Sequence, residues 1–313
     1  MKNKTKTPTK KEMELKLKNV VFQLEKNLSE KNAECEAMSN LTFIIASRND
    51  NFCGDSVGRL CLTIQRICWW MPRSEIIIAD WGSEVPLSNR LSEIFVDRPH
   101  WLSNCPVYCL TIPPSVTSKF DTPFSEPHAL NCAIRHAQGD WIGRIDQDTL
   151  VGDGFAEWWN NNKFEAGLEI LFAQAHFSGR RDMPEGQFVP SPNDPINPDC
   201  INGQEFYRGA VGIILAPTRT WRAIRGWDER LIQRLHAEHD LCIRLRNEIG
   251  LHDLGKDLGY PFHHQWHPRC SDRKLNESQT TAHLESLFKY NTVVNPKNWG
   301  LADYDKEIVK VRI

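Results

Sequence analysis

The run Trp141-Ile-Gly-Arg-Ile-Asp-Gln-Asp148 is a short apolar strand that ends in two acids separated by one residue. In extended backbone, side chains two apart share a face, so the spacing predicts that the Asp146 and Asp148 carboxylates point at one position in space. Two hard oxygen donors at a strand end suit Mg²⁺ or Mn²⁺ and leave coordination positions open for phosphate oxygens. Acids after strands also serve as plain turn formers, so the motif needs its context. That context is an open α/β sheet, in which ligands bind outside the carboxyl ends of the strands.

Working back towards the N-terminus, Leu41 to Ser47 reads as a first strand and Glu75 to Asp80 (EIIIAD) as a second buried one. Val107 to Ile112 reads as a third, and Trp141 to Asp146 is the fourth. Between them, Asp55 to Trp70 places Val57, Leu60, Cys61, Ile64, Ile67 and Cys68 along one helical face, and Leu87 to Phe95 forms a second helix. Ser125 before Glu126 and Pro127 is a helix start, with Gly139 as its stop. The order is βαβαβαβ, which predicts an α/β fold with a mostly parallel, Rossmann-like sheet flanked by helices.

Downstream, Arg180 to Gly203 is loaded with Pro, Asn, Asp and Gly and reads as a long loop. Val211 to Leu215 resumes a strand, Thr218 to Ile224 a short helix, and Glu238 to Ile249 a longer one. Upstream, residues 1–40 are charged, with Leu17, Val21, Leu24 and Leu28 as a narrow apolar stripe. This predicts an amphipathic helical extension, packed on its own domain or self-associating as a short coiled coil. The predicted organisation is a helix over 1–40, a catalytic-type domain over 41–275 with its halves at 41–148 and 149–275, and a C-terminal extension over 276–313.

A formal net charge of −2 creates no field that would gather nucleic acid. The ten cysteines include no C-x-x-C pair, which fits reduced thiols in a cytoplasmic protein. Met1 to Lys11 offers neither a secretory signal nor a transmembrane anchor, so a cytoplasmic chain, soluble or peripheral at a membrane surface, is expected.

Five blocks in order resemble the GT-A glycosyltransferases, particularly those of the family-two type, over roughly residues 41–269. They are Leu41 to Asn49, Glu75 to Ser83, His128 to Asp148, Arg225 to Arg244, and His263 to His267. The resemblance implies a nucleotide-sugar donor, for which a UDP-sugar is expected, and a glycan or other hydroxyl acceptor. It implies donor contacts from Ser47, Arg48, Asp80, Asn131 and Asp146. It implies acceptor contacts from Trp227, Asp228 and Asp240, with the flat indole of Trp227 as a platform for a sugar ring.

The implied metal ligands are Asp146, Asp148, His264 and His267, and an imidazole in that set favours Mn²⁺ over Mg²⁺. Two departures stand out. Leu130 occupies the place where many relatives have Arg. The acceptor block reads Ala237-Glu238-His239-Asp240-Leu241 rather than Glu-Asp-x-Asp-Leu, which puts Glu238 at the position of the catalytic base. A carboxylate there can take the acceptor hydroxyl's proton as it attacks, a route to inversion. Asp240 has a second expected role, pairing with Arg244 at i,i+4.

Three other functions compete. His236-Ala-Glu-His239-Asp240 offers ligands for a metal-dependent hydrolase or phosphodiesterase, though not in H-E-x-x-H order. A sugar nucleotidyltransferase would share the fold class, but the Asn49 to Gly58 loop has no Lys to grip a triphosphate. A noncatalytic carbohydrate-binding protein would have no need of Asp146, Asp148, Glu238 and His264 together.

Overall fold

The runs LTFIIAS and EIIIADW lack polar alternation, and strands covered on both faces need none. A computed structural model describes residues 41–51, 54–96, 102, 104–161, 170–173, 176–177, 213–232, 237, 240–241, 244, 251–253, 262–265 and 292–313. In it the two runs are β1 (Leu41–Ser47) and β2 (Glu75–Trp81), and all seven residues of β2 are buried. The chain also forms α1 (Ser56–Trp70), α2 (Leu87–Ile94), β3 (Val107–Ile112), α3 (Pro114–Thr117), α4 (Glu126–His136) and β4 (Trp141–Ile145). It continues with β5 (Thr149–Val151), α5 (Asp153–Asn161), β6 (Ile170–Ala173), β7 (His176–Phe177), β8 (Ile213–Pro217) and α6 (Thr218–Ile224). The remaining strands are β9 (Leu251–Asp253), β10 (Phe262–His264) and β11 (Val309–Arg312).

Eight strands make the main sheet in the order β11-β3-β2-β1-β4-β8-β6-β9. The four in its middle, β3, β2, β1 and β4, are parallel, as the βαβαβαβ order requires. β8 then returns antiparallel to β4, and β11 antiparallel to β3, so the sheet is mostly parallel but mixed at its flanks. Side chains alternate across it. Phe43, Ile45, Ile76 and Ile78 pack with α1, α2 and α5 on one face, while Ile44, Ile77, Ala79 and Ile142 pack with α4 and α6 on the other.

Helix starts follow local chemistry. Asp55 caps α1 by accepting the Gly58 N–H at 3.1 Å. Ser125 occupies the N-cap position of α4, with Pro in the first turn, but its hydroxyl pairs with His128 Nδ1 at 2.8 Å instead of a backbone amide. Beyond α4, Gly139 ties the amino end of β1 to the start of α6, its N–H going to Thr42 Oγ1 at 2.9 Å and its carbonyl accepting from Thr218 Oγ1 at 2.5 Å.

Within the C-terminal extension expected over 276–313, residues 292–313 join the main sheet and its core. β11 forms the edge of the main sheet, Trp299 and Leu301 enter the core beside α4, and Arg135 holds Asp305 through two 2.6 Å bonds. The expected helix over residues 1–40 and the loop over 180–203 lie outside the described residues, as does most of the expected helix over 238–249. Among the described residues no helix is long and apolar enough to cross a membrane.

Candidate functional site

Parallel register brings the carboxyl ends of the central strands level. Ser47 lies beside Asp80 and Asp80 beside Thr111, while β4 ends at Ile145, one residue before Asp146. Ser47, Arg48, Asp80 and both acids therefore gather on one rim of the sheet, where ligands of such sheets bind.

The two acids do not sit on extended backbone. After Ile145 the chain turns, with the Thr149 N–H bonded to the Asp146 carbonyl at 3.1 Å. The face-sharing argument for a strand does not apply there, and the turn sets the two carboxylates in different surroundings. The Asp146 side chain is 17% exposed and lies against Arg144, whose Nη2 stands 2.8 Å from Oδ1. The same guanidinium, itself almost wholly buried, bonds Glu126 Oε1 at 2.6 Å from the first turn of α4. Asp148 is buried.

A second, three-stranded sheet, β5-β10-β7, crosses this rim. β10 runs antiparallel to β5 with His264 opposite Thr149 and His263 opposite Leu150. The Gln265 N–H then donates to the Asp148 carbonyl at 2.7 Å. The late histidine segment, more than a hundred residues away in sequence, is thus laid directly against the residue that follows the two acids. Glu238 and His267 lie outside the described residues.

Of the donor-side residues, Ser47 and Asp80 are buried and Arg48 is partly exposed. Ser47 donates to Gln147 Oε1 at 2.6 Å, and Arg48 Nη1 donates to the Pro123 carbonyl at 2.7 Å. Asp80 is fully buried, accepting from the Ser83 hydroxyl and, at 2.8 Å, from the Leu87 N–H at the start of α2. Burial pushes its carboxyl up to about 6, against the pull of those hydrogen bonds.

Four expected contacts are corrected by the geometry. Asn131 is wholly buried and its amide is spent on the turn after α6, accepting from the Trp227 N–H and donating to the Trp227 carbonyl, each at 2.9 Å. It positions that turn and offers nothing to a donor. Gly226, at φ 66, must be glycine there, because a Cβ would run into the Asn131 amide. Trp227 cannot be an open platform, since its indole is 1% exposed and stacks on Trp221 with ring centres 4.7 Å apart. Asp228 is buried and gives both oxygens to Arg230, and Asp240 is buried in an ion pair with Arg244 at 2.8 Å. Each answers a partner inside the fold, because a buried polar group without a partner is costly, and for Asp240 that partner is the Arg244 expected from the i,i+4 spacing.

Beside Asn131, Glu229 accepts from its amide at 3.0 Å and from the Gly300 N–H at 2.6 Å, and burial raises its carboxyl. His128, packed against Phe120 and 3.9 Å from Glu229, is pushed down to about 4 by burial and stays neutral at physiological pH. Sequence reasoning missed these groups, and Arg144 as well. One signal was available for Arg144: a cation inside the otherwise apolar run Trp141–Ile145 needs an acid next to it.

Two carboxylates on one turn, with a histidine-bearing strand in register beside them, fit as part of a ligand set for a divalent cation. Among the described residues no group of three or more His, Cys, Asp or Glu side chains stands ready to hold a metal.

No protein-family model and no curated protein matches the sequence. Among solved structures, the chain is similar to a Drosophila β-1,4-galactosyltransferase 7 in complex with manganese, UDP-Gal and xylobiose, at 12% identity, covering 77% of this chain and 79% of that one with a TM-score of 0.42. It is also similar to Staphylococcus aureus TarS, at 13% identity over 72% of this chain and 37% of that one with a TM-score of 0.44. A residue 1–349 form of TarS in complex with UDP is matched at 12% identity over 72% of this chain and 60% of that one, again with a TM-score of 0.44. Likeness at this level concerns the course of the chain and assigns no chemistry to its residues.

Proposed function

We propose that this chain is a metal-dependent glycosyltransferase of the GT-A type, moving a sugar from a nucleoside-diphosphate sugar, with UDP as the nucleotide, to an acceptor hydroxyl. The observation that carries the reading is the antiparallel register of β10 on β5, which lays His264 beside the turn bearing Asp146 and Asp148. A histidine strand anchored there has no role in the main sheet, and it supplies the donor type that two carboxylates lack.

In this reading Asp146, Asp148, His264 and His267 would hold the cation, and the imidazoles favour Mn²⁺. A divalent ion bound there would stabilise the negative charge that gathers on the departing diphosphate. Ser47 and Arg48 line the donor side of the rim, and Asp80 acts through the loop it holds. Arg144 orients the Asp146 carboxylate. Glu238 takes the proton from the acceptor hydroxyl as that oxygen attacks the anomeric carbon from the face opposite the diphosphate, so the configuration inverts.

The test is a panel of nucleotide sugars with Mn²⁺ or Mg²⁺ and mixed acceptors, scored for nucleoside diphosphate release and transferred sugar. Transfer with a UDP-sugar and Mn²⁺ is expected. In Glu238→Gln donor binding should persist while transfer falls about a hundred- to ten-thousandfold. Metal-dependent phosphodiester cleavage without transfer would make the chain a hydrolase. Consumption of a nucleoside triphosphate and sugar phosphate would make it a nucleotidyltransferase.

A further inference from the structure

We propose that Thr63 and Gln265 are positioning residues for the divalent-cation site, forming a clasp that holds the Asp146–Asp148 turn against the histidine strand β10; this rests on the metal reading above. Thr63 lies in the middle of α1, wholly buried among Leu60, Ile64 and Ile67. A valine would fill the same volume there, so packing alone gives no reason for a hydroxyl. The hydroxyl is used twice: it donates to the Gln147 carbonyl at 2.9 Å and accepts from Gln265 Nε2 at 3.2 Å.

Gln265 reaches the same turn by a second route. Its side-chain amide also donates to the Arg59 carbonyl at 3.0 Å, while its backbone N–H donates to the Asp148 carbonyl at 2.7 Å. Two consecutive carbonyls of the acid turn, those of Gln147 and Asp148, are therefore held from outside it. One is held by α1 and the other by the residue next to His264. The Gln147 side chain is held separately, by Ser47 at 2.6 Å.

A turn after a strand normally leaves its carbonyls to water, which would let the two acids shift independently of β10. With Thr63 bonded both to the turn and to Gln265, the acids and the histidine segment move as one body, as outer partners of metal ligands are arranged to do.

The experiment uses the full chain with Mn²⁺ alone as the probe, read by loss of the free-ion electron paramagnetic resonance signal, alongside amide hydrogen exchange. Thr63→Val, and separately Gln265→Ala at its half-buried position, should weaken Mn²⁺ binding about ten- to a hundredfold. In both, the amides of Thr149 and Gln265 should exchange faster while those of β1 and β2 keep their protection. Thr63→Ser, which keeps the hydroxyl, should restore both readouts, whereas a purely packing role would leave serine as impaired as valine or worse.

Unchanged exchange at Thr149 and Gln265 in either variant, or unchanged Mn²⁺ affinity in a variant whose exchange has risen, overturns the clasp. A wild-type chain that binds no Mn²⁺ overturns the metal reading instead, and the exchange data then report on the clasp by themselves. Should Thr63→Val fail to fold, Gln265→Ala and Thr63→Ser decide.

Discussion

Strand β2 begins on one buried carboxylate and carries another, Asp80, one residue before its end, and the two are treated differently. At its foot, Glu75 accepts from the Thr42 hydroxyl at 2.7 Å and the Gln138 N–H at 3.0 Å, with Lys310 Nζ at 3.3 Å. Those three partners come from β1, from the segment after α4 and from β11, so a single charge ties together pieces far apart in sequence. At its rim, Asp80 accepts hydrogen bonds from its own loop, through Ser83 and Leu87, with the Arg48 charge nearby, and burial still pushes its carboxyl up to about 6. The foot is built to hold the sheet together. At the rim, burial disfavours the charge of Asp80, a pattern that groups with chemical roles show.

The comparison is broken most sharply at the rim. Asp148→Ala should cut metal-dependent turnover by about a thousandfold or more, since a cation's stabilisation of a leaving diphosphate amounts to several kcal/mol. Its urea midpoint should move little. Full turnover in steady-state assays would show that the acid turn is only structure.

The converse substitution is at the foot. Glu75→Ala leaves the Thr42 hydroxyl and the Gln138 N–H without their acceptor, and it should cost about 1–3 kcal/mol in urea denaturation. Mn²⁺ affinity, measured on the same protein, should stay at the wild-type value. A loss of metal binding there would mean that foot and rim are not separable.

Asp80 sharpens the contrast through pH. Its folded-state value lies near 6 against an ordinary 3.8, so the folded state holds the proton more tightly. Its contribution to stability is therefore complete below about pH 3.8 and is lost as pH rises through about 6. Asp80→Asn cannot ionise, so it should gain on the wild type by on the order of 2 kcal/mol between about pH 4 and pH 7.5. Parallel stability curves for the two proteins would deny the burial effect.

The smallest effect serves as the control. Arg90 and Glu93 form an exposed i,i+3 pair at 3.0 Å on α2, with side chains 53% and 66% exposed. Arg90→Ala should change the thermal midpoint by no more than about 0.5 kcal/mol equivalent, with Mn²⁺ affinity untouched.

Much of this fold was legible in the chain because its signals are local. The runs at Leu41–Ser47 and Glu75–Trp81, the periodic face of α1 and the breaker at Gly139 each act over a few residues. The antiparallel return of β8 and the edge strand β11 were not legible, because strand direction and sheet position depend on partners distant in sequence. The site divides in the same way. Asp146 and Asp148 stand out by residue type and spacing, and the histidine segment is expected from the resemblance alone. Trp227, Asp228, Asp240 and Asn131 have equally suggestive types, and burial turned each of them inward.

The sequence by itself determined the first four strands and the helices between them, and that a pair of acids follows the fourth strand, since backbone propensity and hydrophobic period are properties of neighbouring residues. Only the tertiary structure decided which polar groups remain for chemistry. A carboxylate, an amide or an indole is available to a ligand only where packing leaves part of it uncovered: Asp240 is closed off by Arg244 and Trp227 by Trp221, whereas the Asp146 side chain stays 17% exposed beside Arg144.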